Sequence, residues 1–227
     1  MDFFPLWNSL GLAGISTLIV LLPGVFAAYK VTKAPRVLKY LLNVLLMLPL
    51  ALPPAAVAFL LLLVLDPENP AGALLVETFS DHVILNKLAA VFAMAVVIFP
   101  LMFRAARRAF ESFDQTLAYS AQTIGLSDNY IFWRIRVPWC RRGILTGAVL
   151  AFVRALGEYA AVYMIAGYDP KSTAVIPTTI FQLWSAGERE QAMTWVLLSL
   201  GLSCLLLVLL GLLEKDSRNA VHGRKRT

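Results

Sequence analysis

The 227 residues are 59% hydrophobic and 15% charged, with a mean hydropathy of +0.72, whereas a soluble domain has about 45–50% apolar and about 25% charged residues. Several windows reach the roughly 20 apolar residues that cross a bilayer core. The chain therefore reads as an all-α integral membrane protein with about five transmembrane helices, or six if one further short or re-entrant helix crosses. A formal charge of +6 suits nucleic acid in other settings, but these basic residues sit at span boundaries without a recognition motif, so nucleic acid is not expected as a partner.

In lipid each span must satisfy its own backbone hydrogen bonds, which demands helices. A β-barrel needs alternating segments of about ten residues, and the run YLLNVLLMLPLALPPAAVAFLLLLVL has no alternation. The N-terminus MDFFPLWNSL lacks a positive region, and no A-x-A-like site ends the first span, so Leu10–Tyr29 is expected to be retained rather than cleaved. A basic connection leads to the second span, Tyr40–Leu65. Pro49, Pro53 and Pro54 interrupt it, because proline removes backbone donors and kinks helices. The interruption is either a packing kink or a bent, pathway-lining helix whose freed carbonyls face a water-filled cavity. Leu74–Ser80 reads as a short helix before the third span, Ile84–Phe103.

The longest polar connection, 104–142, follows. In FESFDQTLAYSAQTIG the residues Phe110, Phe113, Leu117, Ala121 and Ile124 recur at helical offsets, and Gly125 ends that helix because glycine tolerates a left-handed conformation. Ser127 or Asp128 can cap a second helix with Ile131, Phe132 and Ile135 on one face, and the pattern stops before Pro138. Such a hairpin either lies flat on lipid or docks a soluble partner.

The fourth span, Gly143–Ile165, opens on a G-x-x-x-G at Gly143 and Gly147, which permits close helix approach. Arg154 and Glu158 share one helix face. Ionisable residues inside a span carry a functional hypothesis by default; the pair is either an internal ion pair that holds helices together, or Arg154 guides an anion with Glu158 as its resting partner. Asp169–Gly187 is interrupted by Pro177 and reads as an external loop with a short helix near Thr178–Trp184. The fifth span is Trp195–Leu213, and the polar, basic tail 214–227 is expected to be disordered. Cys140 and Cys204 are poor candidates for a disulfide or a metal site, and His82 and His222 are isolated.

Sixteen of the twenty lysines and arginines fall in the first connection, in 104–142 and in the tail. By the positive-inside rule these face the cytoplasm. The N-terminus is then outside and the C-terminus inside, with Trp133 and Trp139 near the inner interface and Trp184 and Trp195 near the outer one.

The spacing Tyr119-Ser120-Ala121, three residues, Gly125, nine residues, then Ile135, Val137 and Pro138 resembles the EAA loop of ABC-transporter permeases, whose pattern is E-A-A, three residues, G, nine residues, I-x-L-P. Tyr119 replaces the pattern's glutamate, Ser120 its second residue and Val137 its leucine. Leu48–Leu65, Phe99–Asp114 and Gly147–Gly167 resemble the matching segments of molybdate-transporter permeases, with tungstate and sulfate permeases as close relatives. The resemblance implies a type I ABC importer permease fold, a single permease domain over 1–227, a cytoplasmic coupling loop at 104–142 and a basic tail at 214–227. It further implies a homodimer, two ATP-binding subunits below and an extracytoplasmic oxyanion-binding protein above, all in the cytoplasmic membrane of a bacterium or archaeon. Tyr119, Ser120, Ala121, Gln122, Gly125, Ile135 and Pro138 would form or brace the ATPase-docking surface, and Pro49, Pro53, Pro54, Arg154 and Glu158 are the pathway or gate candidates. The chain has no G-x-x-x-x-G-K-[ST] phosphate loop. No catalytic residue, metal or cofactor is therefore expected here, and ATP and Mg would be bound by the partner ATPase. A stand-alone channel or secondary transporter would call for internal repeats, which are not evident.

Overall fold

The computed structural model describes residues 2–66, 68–70, 72–73 and 87–224, with side chains to Leu212. The short helix expected at Leu74–Ser80 lies outside the described residues, as does His82. Helix α1, Phe4–Lys33, carries Pro5 in its first turn and Pro23 within. At 1.5 Å per residue its 30 residues reach about 45 Å, enough to pass the bilayer core with a turn to spare at each end.

The second expected span is two helices, α2 (Arg36–Ala51) and α3 (Pro54–Leu65), meeting at 107°. Pro49 is accommodated inside α2. The chain leaves the helix only at Leu52 and Pro53, both extended, where two successive prolines withhold two backbone donors and the residue before each is pushed out of the helical region. Pro54 then starts α3, a position where its missing N–H costs nothing.

Helix α4, Lys87–Glu111, is the centre of the molecule and packs against α1, α2, α3, the long helix α6 (Asp128–Leu156) and the short α7 (Ala160–Ala166). Its buried residues, among them Ala90, Met94, Ile98, Met102, Phe103, Ala106 and Phe110, belong to the main core. Three close approaches set that packing. A Cβ built on Gly24 of α1 would stand 2.8 Å from Met102 Cγ. On α6, one at Gly143 would stand 2.7 Å from Ala109 Cβ, and one at Gly147 2.6 Å from Ala105 Cβ. The G-x-x-x-G therefore seats against two alanines four residues apart on α4, and the Cys140 thiol donates to the Ala109 carbonyl at 3.3 Å.

After α5 (Gln115–Thr123), α6 runs from Asp128 to Leu156. The expectation that helix stops before Pro138 is corrected here. The helix passes through Pro138 because residues Phe132–Arg136 widen into a π-turn, in which Val137 N–H reaches back to the Phe132 carbonyl. A proline in a regular helix clashes with the carbonyl four residues earlier and lacks the donor for it; the wider turn moves that carbonyl aside.

The fourth expected span also breaks. Helix α6 ends at Leu156, and α7 (Ala160–Ala166) leaves at 61°. Helix α8, Ile176–Ser185, is the short helix expected near Thr178–Trp184, with Pro177 in its first turn. Helix α9, Arg189–Arg224, continues through most of the basic tail, so the disorder expected there is corrected to helix as far as Arg224.

Among the described residues, α1, α4 and Arg189–Leu212 of α9 are each long and apolar enough to cross a membrane, and the two bent pairs raise the total to five if each is one span. Val57, Ala58, Leu61 and Leu65 of α3 join Ala89, Ala93 and Val97 of α4 and Ala161 and Ile165 of α7 in a second cluster. The halves that follow the two breaks thus pack on one another.

Candidate functional site

The hairpin end of the bundle begins where α4 stops. The single helix expected across Phe110–Ile124 is in fact two, a correction that follows from Asp114. Its carboxylate accepts from Thr116 N–H at 2.9 Å and opens α5. Phe110 and Phe113 stay with the core, and the buried face of α5 is Ala118 and Ala121, while Leu117 and Ile124 are exposed. Hydrogen bonds from the Thr116 hydroxyl, and then from its backbone N–H, hold the Asp114 carboxyl below the usual carboxylate range. This cap is therefore charged at neutral pH and is lost only as pH falls through that lowered value.

Gly125 has φ +86 and closes α5 as expected. Leu126 N–H donates to the Ala121 carbonyl at 3.1 Å and Gly125 N–H to Gln122 at 2.9 Å, the paired bonds of a Schellman ending. Ser127 then accepts from Tyr130 N–H at 3.3 Å and starts α6. Asp128 ties the hairpin together: one oxygen accepts from Gln122 Nε2 at 2.9 Å, and the other meets Lys33 Nζ, at the end of α1, at 3.3 Å.

The seven expected docking residues lie together at this end. Tyr119, Ser120, Gln122, Gly125 and Pro138 are exposed, Ile135 is half-buried, and Ala121 is buried against the core. Ile124, 76% exposed, adds a large apolar group to this surface. Of Ile131, Phe132 and Ile135, expected on one face of the second helix, the first two are buried and Ile135 is half-buried. Phe132 stacks among Tyr29, Phe110 and Phe26 with centroids 4.4–6.1 Å away.

One functional candidate escaped sequence reasoning. Arg136, among seven basic residues of the loop, is buried at 8% exposure. It donates to Gln115 Oε1 at 3.1 Å and lies over the rings of Phe113 and Tyr29, at 5.0 and 5.6 Å. A boundary arginine ordinarily reaches water, and nothing in the sequence marked this one as different.

Arg154 lies farther along α6, about 24 Å from Pro138 at 1.5 Å per residue, whereas Glu158 falls past the helix end at Leu156, so the shared helix face expected for the two is corrected. They form an ion pair, Nη1 to Oε2, at 2.8 Å. Glu158 is 1% exposed, and its other oxygen accepts from Ala161 N–H at 2.9 Å, in the first turn of α7. The pair is thus built into the break between α6 and α7. Beyond it, Tyr159, Tyr163 and Phe181 pack ring to ring, beside an open pocket of about 530 Å³ that Trp184, Arg189 and Met193 help line. Pro53 and Pro54 sit at the other break, and the helices that follow the two breaks, α3 and α7, share one apolar cluster. At this end Asn8 of α1 donates to the carbonyls of Ser172 and Ala174 at 3.0 and 2.8 Å, and Ser9 accepts from Ile176 N–H at 2.8 Å. Helix α1 thereby pins the start of α8. Among the described residues no three His, Cys, Asp or Glu side chains converge to hold a metal ion.

The family model for the binding-protein-dependent transport system inner membrane component matches residues 20–217. The chain is 34% identical to a putative molybdenum transport system permease of Bacillus subtilis over 205 residues, covering 90% of each chain. It is also 34% identical to the molybdenum transport system permease of Escherichia coli K12 over 211 residues, covering 92% of each. A molybdate/tungstate transport system permease of Pyrococcus furiosus is 30% identical over 205 residues, 90% of this chain and 76% of that one. Among solved structures, an inward-facing methionine ABC transporter superposes with a TM-score of 0.64 at 14% identity, over 96% of this chain and 94% of that one. The likeness in fold is to type I ABC importer permeases.

Proposed function

The chain belongs to the family of binding-protein-dependent transport system inner membrane components, and from that premise we propose that it is the membrane permease through which an ATP-driven importer moves molybdate. The identity to molybdenum permeases across nine-tenths of the chain supports the substrate. The observation that carries the mechanism is the hairpin. Tyr119, Ser120, Gln122 and Ile124 project from a short helix whose back is held by Ala118 and Ala121 and whose flank is tied by Asp128 to α1. A rigid, exposed knob of this kind suits a cleft on a separate ATPase, so that nucleotide-driven closure rocks the spans as bodies.

In this reading two copies of the chain enclose the pathway and two ATPase subunits bind ATP and Mg beneath the hairpins. An extracytoplasmic binding protein delivers the oxyanion from the side where α1 begins. The N-terminus is outside, and this chain hydrolyses nothing. The likeness to a molybdate/tungstate permease favours tungstate as the second substrate, ahead of sulfate or thiosulfate.

Reconstitution with the cognate ATPase and binding protein tests both levels. Uptake should require ATP and all three components and should prefer molybdate to sulfate. Gly125→Pro, which removes the Gly125 N–H and forbids φ +86, should leave the protein inserted but abolish stimulated hydrolysis and uptake. Uptake without the ATPase, or full activity of the Gly125→Pro transporter, overturns the docking assignment; a preference for sulfate overturns the substrate.

A further inference from the structure

We propose that Arg136 is a positioning residue that passes movement of the coupling helix α5 to the spans α1 and α6. This inference rests on the hairpin being the ATPase handle, and it goes beyond that reading by naming the side chain that carries the motion upward.

Four observations converge on this guanidinium. It is buried at the foot of the bundle, where an arginine would otherwise extend to water. Among the described residues its side chain makes one hydrogen bond, to Gln115 in the first turn of α5. Its plane lies against Phe113, in the joint between α4 and α5, and against Tyr29 near the end of α1. Finally, its own backbone lies in the π-turn that leads α6 through Pro138. One side chain thus touches the coupling helix, the joint above it, the first span and the irregular turn of the fourth.

The contact is not one that maximises stability. Arg136 Nε has no hydrogen-bond partner among the described residues, and a buried donor left unpaired is destabilising. A group held by one bond and two ring faces, with a donor to spare, can exchange partners when its surroundings shift. The π-turn offers the backbone freedom for that shift, because the register of such a turn differs by one bond from regular helix. Motion of α5 would pull on Gln115 and be felt at Arg136 before it reached Tyr29 and the π-turn. The Asp128 link ties α5 to α1 from the exposed side, so Arg136 is the buried member of two parallel connections.

The test uses the complete transporter, with ATPase and binding protein, in proteoliposomes, and reads three quantities: ATPase retained on purification, melting temperature, and molybdate imported per ATP hydrolysed. Arg136→Lys keeps the charge but loses the fork. Gln115→Ala removes the acceptor from an exposed position and should fold normally. In both, ATPase retention should persist while import per ATP falls about five-fold or more, the lower range for a coupling between sites. Gln115→Glu keeps an acceptor for the guanidinium and should retain the wild-type ratio. If Gln115→Ala leaves import per ATP unchanged, or if either variant lowers only the melting temperature, Arg136 is a packing residue and the inference is overturned. Failure of the wild-type complex to import molybdate with ATP would instead sink the proposed function, so the two failures are separate.

Discussion

Glu158 uses its two oxygens for two partners, the Arg154 guanidinium and the backbone N–H of Ala161, and it does so almost fully buried. Removing one charge of such a pair strands the other, at a cost of about 3–5 kcal/mol when both are deeply buried. The one-third exposure of Arg154 lowers that figure. Arg154→Gln should therefore reduce thermal stability more than the double change Arg154→Gln/Glu158→Gln, in which no charge is stranded and an amide oxygen still meets Ala161. Melting curves of the purified variants decide this, and a double variant as unstable as the single one would show that the pair does not brace the elbow. Uptake by the folded double variant separates the two roles read from sequence: near-normal uptake fits a brace, and its loss fits a guide for the anion. That the two residues meet was legible from their separation of four, although Glu158 lies past the last residue of α6. The cap on α7 was not, because it exists only once the chain has broken at Gly157–Tyr159. Arg136 was hidden for a related reason: burial of a cation depends on what surrounds it, and its aromatic neighbours come from residues 29 and 113.

The contact between α4 and α6 shows the same logic over whole helices. Alanines 105 and 109 face glycines 147 and 143 so closely that one added methyl at Gly147 would lie 2.6 Å from another. Overpacking of this kind costs about 1–3 kcal/mol, and helices in lipid rely on such close approach for their association. Gly147→Ala should lower the melting temperature, and adding Ala105→Gly should recover most of the loss by restoring the methyl count at the crossing. If the swap does not recover it, the contact is not what sets the helix spacing. Apolar run length was enough to place the three unbroken spans and the two bent pairs that make five if each pair crosses once. Where a span would break was less legible: proline pairs mark a break when both donors fall in one turn, as at Pro53 and Pro54, but Pro138 was read as a stop because a π-turn that absorbs a proline leaves no sign in composition. Similarly, Phe110 and Phe113 fitted a helical period that continued into α5, and Asp114, with Thr116 two residues later, was the local capping signal that should have divided it.

Across the whole molecule the two ends differ in what holds them. At one end charged side chains link the elements, with Lys33 to Asp128 and Lys39 to Glu111, which Arg107 of the same helix also meets. At the other, Asn8 donates to the loop before α8 and Ser9 accepts from Ile176 at its start, bonds between neutral groups. Between them α2 buries none of its residues and Arg189–Leu212 of α9 very few, so a broad apolar surface is left uncovered. This charged end carries two of the basic stretches counted in the sequence, and under the proposed function the positive-inside rule would set it in the cytoplasm. The orientation is testable without transport. With Cys140 and Cys204 replaced by alanine, Ser120→Cys on the hairpin and Lys171→Cys in the loop before α8 each present one exposed thiol. In intact spheroplasts a membrane-impermeant maleimide should label Lys171→Cys at once and Ser120→Cys only after permeabilisation. The reverse pattern would put the hairpin outside the cell, beyond the reach of any ATP-driven partner, and the proposed mechanism would fall with it.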